Sequence, residues 1–142
     1  MTAKDCTELK IGDKYVIILA GGVGDRMKIE IPKQFIPVHG KPILMHSIAT
    51  FYDCSPNFKF VVVLPSGHIS LWKDLCVEFN FTIKHSIIEG GSNRFESVKK
   101  GLDLVPENSI VAIHDGVRPL VRHSSIREYF ETAYATGSAI PV

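Results

Sequence analysis

Short runs of consecutive apolar residues recur along the chain at Tyr15–Ala20, Phe60–Leu64, Thr82–Ile88, Ile110–His114 and Ser138–Val142. Each is rich in Val, Ile or Phe and mostly lacks polar alternation, as expected of strands covered on both faces of a parallel sheet. Between them the apolar residues change period. Leu44, Ile48 and Phe51 fall at i, i+4 and i+7, and Ile69, Trp72, Leu75/Cys76 and Phe79 keep the same helical spacing. Phe95, Val98 and Leu102 follow it, then Ile126, Phe130 and Ala133. The pattern predicts four amphipathic helices separating five strands. Asn93 three residues before Glu96, and Ser125 three before Glu128, read as capping boxes at two helix starts. Strand and helix in alternation predict an open α/β sheet with right-handed crossovers.

The 142 residues fit one domain and leave no room for two. The last of them, Ile140-Pro141-Val142, fall inside the fifth expected strand, so residues 1–142 are expected to be an incomplete domain, truncated at the C-terminus. With 16 Lys and Arg against 15 Asp and Glu, the net charge of +1 supplies no field for coating nucleic acid. The longest apolar run is six residues, too short for a membrane span, and the first ten residues lack a signal-peptide core. A cytoplasmic protein with neither nucleic acid nor membrane as partner is the expectation. Cys6, Cys54 and Cys76 fit no disulfide framework or zinc spacing and are read as reduced thiols.

Ligands of open α/β sheets bind beyond the carboxyl ends of the strands. Three loops there have unusual composition. The first runs from Gly21 to Lys33 and carries Gly21, Gly22 and Gly24 together with two cations, Arg26 and Lys33. Glycines let backbone N–H groups approach an anion closely. The loop is not a P-loop, because no Gly-Lys-Ser/Thr follows, and it is not the dinucleotide fingerprint, because Met27 stands at the third glycine. A guanidinium and an ammonium converging on a polyphosphate would neutralise charge on phosphoryl oxygens and on departing pyrophosphate. The plainer alternative is a solvated basic turn.

In the second loop, Glu89-Gly90-Gly91-Ser92-Asn93-Arg94, free amides can read the edge of a base and Ser97 can add a hydroxyl. A capped glycine turn is the alternative. In the third loop, His114-Asp115-Gly116-Val117-Arg118-Pro119, Asp115 can hold ribose hydroxyls or help place a Mg²⁺ ion shared with phosphates, and Arg118 can grip a second phosphate. A local Asp115–Arg118 ion pair is the alternative. His114 is read as a hydrogen-bonded core histidine, and no other histidine has ligand spacing.

The stretch from Ala20 through Met27, continuing in Pro32-Lys33-Gln34-Phe35 and Gly40-Lys41-Pro42-Ile43-Leu44, resembles the nucleotide-binding signature of the 2-C-methyl-D-erythritol 4-phosphate cytidylyltransferases. Gly90-Gly91 through Arg94 with Ser97-Val98, and the third loop from His114 to Pro119, resemble the same family's later motifs. The resemblance covers about the first three-fifths of a typical member. It implies a Rossmann-like, mainly parallel sheet with helices on both faces, of the nucleotide-diphospho-sugar transferase type.

It also implies transfer of CMP from CTP to 2-C-methyl-D-erythritol 4-phosphate with Mg²⁺ as cofactor, in a homodimer when full length. Arg26 and Lys33 correspond to its catalytic cations. Ala20, Gly21, Gly22, Gly24, Gly91, Ser92, Ser97 and Gly116 correspond to its nucleotide site, and Asp115 and Arg118 to the ribose and acceptor side. Any metal role falls to Asp115 by the same reading. The family often has Asp where Ser92 stands and Ala where Gly116 stands, and its acceptor portion and dimer arm are not matched here. A ribitol 5-phosphate cytidylyltransferase, which shares the nucleotide motifs, and a non-catalytic nucleotide-binding module are the alternative readings.

Overall fold

A computed structural model describes residues 13–21 and 31–140. Four parallel strands form the main sheet: β1 (Lys14–Leu19), β4 (Lys59–Leu64), β5 (Ser86–Glu89) and β6 (Ile110–Asp115). Their spatial order is β5-β4-β1-β6. A hairpin of β2 (Pro37–Val38) and β3 (Lys41–Pro42) lies apart from it. The helices are α1 (Ile43–Cys54), α2 (Ile69–Glu78), α3 (Arg94–Leu102) and α4 (His123–Thr136). None of the described helices is long and apolar enough to cross a membrane.

Alternate residues of β1 divide the core in two. Val16, Ile18 and Ala20 join Leu44, Ile48, Phe51, Trp72, Ile126 and Phe130 on the face covered by α1, α2 and α4. Ile17 and Leu19 join Val61 and Val63 on the other face, with Val98 of α3 against them. Helices therefore lie on both faces, as expected. β1 and β4 need continuous apolar runs because neither of their faces meets water.

Several expectations change. The run Thr82–Ile88 forms a strand only from Ser86 to Glu89. Its earlier part packs by side chains: Trp72 Nε1 donates to His85 Nε2 at 3.0 Å, and the ring of Phe81, just ahead of the run, meets Trp72 edge-on. Ser138–Ile140 are not a strand, and Pro141 and Val142 lie outside the described residues. Gly137, at φ 95°, ends α4 in the left-handed conformation before them. Asn93 does cap α3, accepting from Glu96 N at 2.8 Å. Ser125 caps nothing, because α4 begins two residues earlier, at His123.

Phe95 and Leu102 do not face the core either. They are 75% and 42% exposed. α3 packs instead through Ser97, Val98 and Gly101, where a Cβ on Gly101 would lie 3.0 Å from Ile17 Cγ2. The β2–β3 hairpin was not anticipated; its turn places His39 and Gly40 at positive φ, the conformation two-residue hairpins require. Cys54 and Cys76 are free thiols. Burial pushes both upward in pKa, Cys76 to about 11, so they stay in the neutral form.

Candidate functional site

In the order β5-β4-β1-β6 the chain moves outward from β1 to one edge, then returns to the other side of β1. Open sheets of this kind bind ligands at the carboxyl ends of the strands where the order reverses, which here are β1 and β6, and this end is the candidate crevice. Ala20–Gly21 and Asp115–Gly116 sit at its mouth, with Leu19 paired to Asp115 in the register. Backbone bonds extend the ladder past each strand: Ala20 N donates to Val63 O, Gly116 N to Leu19 O and Gly90 N to Leu64 O, at 2.8–2.9 Å.

Gly116 is packed tightly. A Cβ there would meet Leu44 Cδ1 at 2.9 Å and Leu19 O at 3.3 Å, so the third loop lies directly against β1 and α1. Ser47, fully buried in α1, donates to Gly116 O at 2.7 Å and fixes the turn from below.

Lys33 is held in place by its neighbour. The segment 33–35 is a single 3₁₀ turn in which Lys33 is exposed while Gln34 and Phe35 are buried. Gln34 Nε2 donates to Ala20 O at 2.8 Å, so the turn is tied to the residue that follows β1. Phe35 lies flat against Trp72, with ring centroids 6.0 Å apart, and Trp72 is fully buried. The ammonium is therefore carried on a turn anchored to the crevice. Gln34→Leu keeps the volume and removes the donor. It is expected to lower stability by about 1–3 kcal/mol, because the buried Ala20 carbonyl loses its partner. Urea unfolding measures this, and an unchanged midpoint would mean the bond contributes nothing.

In the second loop, Gly91 N donates to Ser97 Oγ at 3.0 Å, and Ser97 is buried at the first turn of α3. A Cβ on Gly91 would stand 2.3 Å from Glu96 Cβ, so only glycine fits there. The Ser92 amide and hydroxyl both donate to Glu96 Oε2, at 2.9 and 2.7 Å, so the Gly91 and Ser92 amides are not the free amides expected, and the loop is the capped glycine turn of the alternative reading. The Ser92 hydroxyl bond, then the amide bond, holds the Glu96 carboxyl below its ordinary pKa. A carboxylate thus stands beside Ser92, supplied from one turn along α3.

In the third loop, Asp115 takes both local partners. Its Oδ2 accepts from Arg118 Nε at 3.2 Å, as the plainer reading expected, and its Oδ1 accepts from Arg94 Nη1. Burial holds the half-buried His114 below its ordinary pKa. His114 Nε2 donates to Arg118 O at 2.7 Å, and its ring stands edge-on to Phe51 at 5.0 Å, so it is a packed, neutral histidine. Among the described residues no three His, Cys, Asp or Glu side chains gather as a metal site. With each Asp115 oxygen already on a guanidinium, the donors suit a cation carried on phosphate oxygens better than one held by the chain.

The structure thus brings Ala20, Gly21, Lys33, Gly116, Asp115 and Arg118 to the carboxyl ends of β1 and β6, and Gly91, Ser92 and Ser97 to the loop after β5. Gly22, Gly24 and Arg26 lie outside the described residues. Sequence reasoning quoted Gln34 and Arg94 within motifs without giving them tasks, and passed over Ser47. A glutamine beside an apolar Phe-Ile pair, or a serine within a helix's apolar stripe, was the available signal.

Residues 15–142 match the family profile described as 2-C-methyl-D-erythritol 4-phosphate cytidylyltransferase. The enzyme of that name from Azobacteroides pseudotrichonymphae is 51% identical over 132 residues, covering 91% of this chain and 60% of that protein. Its counterpart from Phocaeicola vulgatus is 45% identical over 130 residues, covering 92% and 59%. A ribitol-5-phosphate cytidylyltransferase from Streptococcus agalactiae is 39% identical over 129 residues, covering 87% and 54%. Among solved structures, the bifunctional IspDF from Campylobacter jejuni superposes with a TM-score of 0.70 at 28% identity, over 84% of this chain and 30% of that one. The chain spans about three-fifths of the length of the first two relatives.

Proposed function

The chain belongs to the 2-C-methyl-D-erythritol 4-phosphate cytidylyltransferase family, and from that premise we propose that it forms the nucleotide-binding part of an enzyme transferring CMP from CTP to 2-C-methyl-D-erythritol 4-phosphate. The observation that carries this reading is that Gln34 ties the Lys33 turn to Ala20, just past β1, while the register sets the neighbouring Leu19 beside Asp115 at the end of β6. A polyphosphate suits a strand end that carries cations such as Lys33 and Arg118.

In the proposed reaction an oxygen of the acceptor phosphate attacks the α-phosphorus of CTP. The bond from that phosphorus to the β-bridging oxygen breaks, and pyrophosphate leaves in line. The acceptor monoester is already anionic near neutral pH, so no general base is needed and a neutral His114 is no obstacle. Lys33 and Arg26 are assigned to the charge that builds on the α-phosphoryl and leaving oxygens. Gly91, Ser92 and Ser97 are assigned to the base, Ala20, Gly21, Gly22, Gly24 and Gly116 to ribose and phosphates, and Asp115 and Arg118 to the ribose and acceptor side. Mg²⁺, when bound with the triphosphate, supplies further charge neutralisation.

Ribitol 5-phosphate is the second acceptor considered. The higher identity to the methylerythritol phosphate enzymes favours the first. A cytoplasmic homodimer in the full-length form belongs to the same proposal. Calorimetric titration with CTP in Mg²⁺, beside UTP, ATP, GTP and NAD, tests the nucleotide side of the site. Selective uptake of CTP is expected. Equal affinities in a folded chain would move the reading to a general nucleotide-binding module.

A further inference from the structure

Arg94 is the first residue of α3, and its guanidinium joins Asp115, 21 positions along the chain. The bond links the loop after one edge strand of the described sheet, β5, to the end of the other, β6. Those strands are three spacings apart, about 14 Å, so the loop after β5 and α3, which packs against Ile17 of β1, carry Arg94 back over the sheet and the ion pair closes the remaining gap.

Stability does not account for a cation at this position. A positive charge in the first turn of a helix opposes the helix dipole. An ion pair whose side chains are 62% and 30% exposed belongs to a class of small or negligible stabilising effect. What the pair does fix is orientation. Arg94 holds Oδ1 and Arg118 holds Oδ2, so the Asp115 carboxylate cannot rotate, while each oxygen keeps a second lone pair for another donor. A rigid, doubly clamped carboxylate that still accepts hydrogen bonds suits vicinal hydroxyls, whose two donors lie at a fixed separation.

We propose that Arg94 is a positioning residue that holds Asp115 to receive the ribose diol of the nucleotide, so that discrimination of ribose from 2′-deoxyribose depends on Arg94. The inference rests on the nucleotide-binding reading given above. Arg118 cannot replace Arg94, because it reaches the other oxygen and lies on the same loop as Asp115. Lysine in its place would keep the charge without the planar fork and would hold the carboxylate less firmly.

The test titrates the 142-residue chain and its Arg94→Ala, Arg94→Lys, Asp115→Asn and doubly substituted Arg94→Ala/Asp115→Asn variants with CTP and with 2′-deoxy-CTP. Unfolding midpoints establish that each variant is folded. The parent chain is expected to prefer CTP by about ten- to a hundredfold, the worth of a hydrogen bond to a charged acceptor. Arg94→Ala should reduce that ratio to within about threefold of unity, Arg94→Lys should fall between, and the double variant should lose no more than Asp115→Asn alone. Equal weakening for both nucleotides, with the ratio kept, would show a merely structural role and overturn the inference. A parent chain that binds both nucleotides equally would overturn it too while leaving the nucleotide-binding reading intact. If the parent binds neither, that reading falls and takes this inference with it.

Discussion

Lys33→Ala, made in an intact enzyme that carries this chain, is expected to lower kcat by about a hundred- to a thousandfold while the fold survives. The size follows from removing one preorganised charge from developing oxyanions, about 3–4 kcal/mol of barrier. The fold survives because Lys33 is the exposed member of its turn, whereas the anchoring contacts come from Gln34 and Phe35. Pyrophosphate release under saturating CTP and acceptor measures the loss, with circular dichroism as the control. Arg26→Ala is expected to cost a similar factor on the same chemistry. Near-normal turnover in both variants would sink the assignment of a phosphoryl-transfer site to this crevice.

Trp72→Ala is expected to destabilise the domain by about 3–5 kcal/mol, the usual cost of emptying a fully buried aromatic site. Trp72 has no exposed surface, stacks on Phe35, meets Phe81 edge-on and donates its indole N–H to His85. Removing it opens a cavity and also leaves the His85 acceptor without its partner. For a domain whose total stability is of order 5–15 kcal/mol, much of the margin would go. Urea titration followed by circular dichroism reads the change. Trp72→Phe should recover the stacking but not the hydrogen bond and fall between the two. A loss below about 1 kcal/mol for Trp72→Ala would mean that the ring is not packed as described. Because Phe35 follows directly on the Lys33–Gln34 pair, the alanine variant should weaken CTP binding as well.

Much of this arrangement was legible in the chain. β1 and β4 were found as uninterrupted apolar runs because both of their faces are covered, and α1, α2 and α4 showed apolar stripes that do face the core. α3 was placed correctly for a partly mistaken reason. Its visible apolar residues, Phe95 and Leu102, point outward, and its packing depends on Ser97 and Gly101, which carry no hydrophobic signal. The unpaired stretch before Ser86 was read as strand because its aromatic and β-branched residues pack on α2 rather than joining a ladder.

The loops that line the crevice were identified from glycines and charge, yet the bonds that orient them were not. Gln34 reaches Ala20, Ser47 reaches Gly116 and Arg94 reaches Asp115 across 14, 69 and 21 positions, respectively. Spacing along the chain is silent about partners so distant, since they are set by which strand ends lie side by side.

The central place of β1 has a consequence in time. The strand is synthesised before both of its neighbours, β4 and β6, and the latter begins on the order of 100 residues later. At about 5–20 residues per second, β1 would wait on the order of 5–20 s for its second partner to leave the ribosome. Throughout that interval Tyr15–Leu19 presents an uncovered edge to every other nascent chain, and its shelter must come from chaperones or from speed of elongation rather than from the fold it later organises.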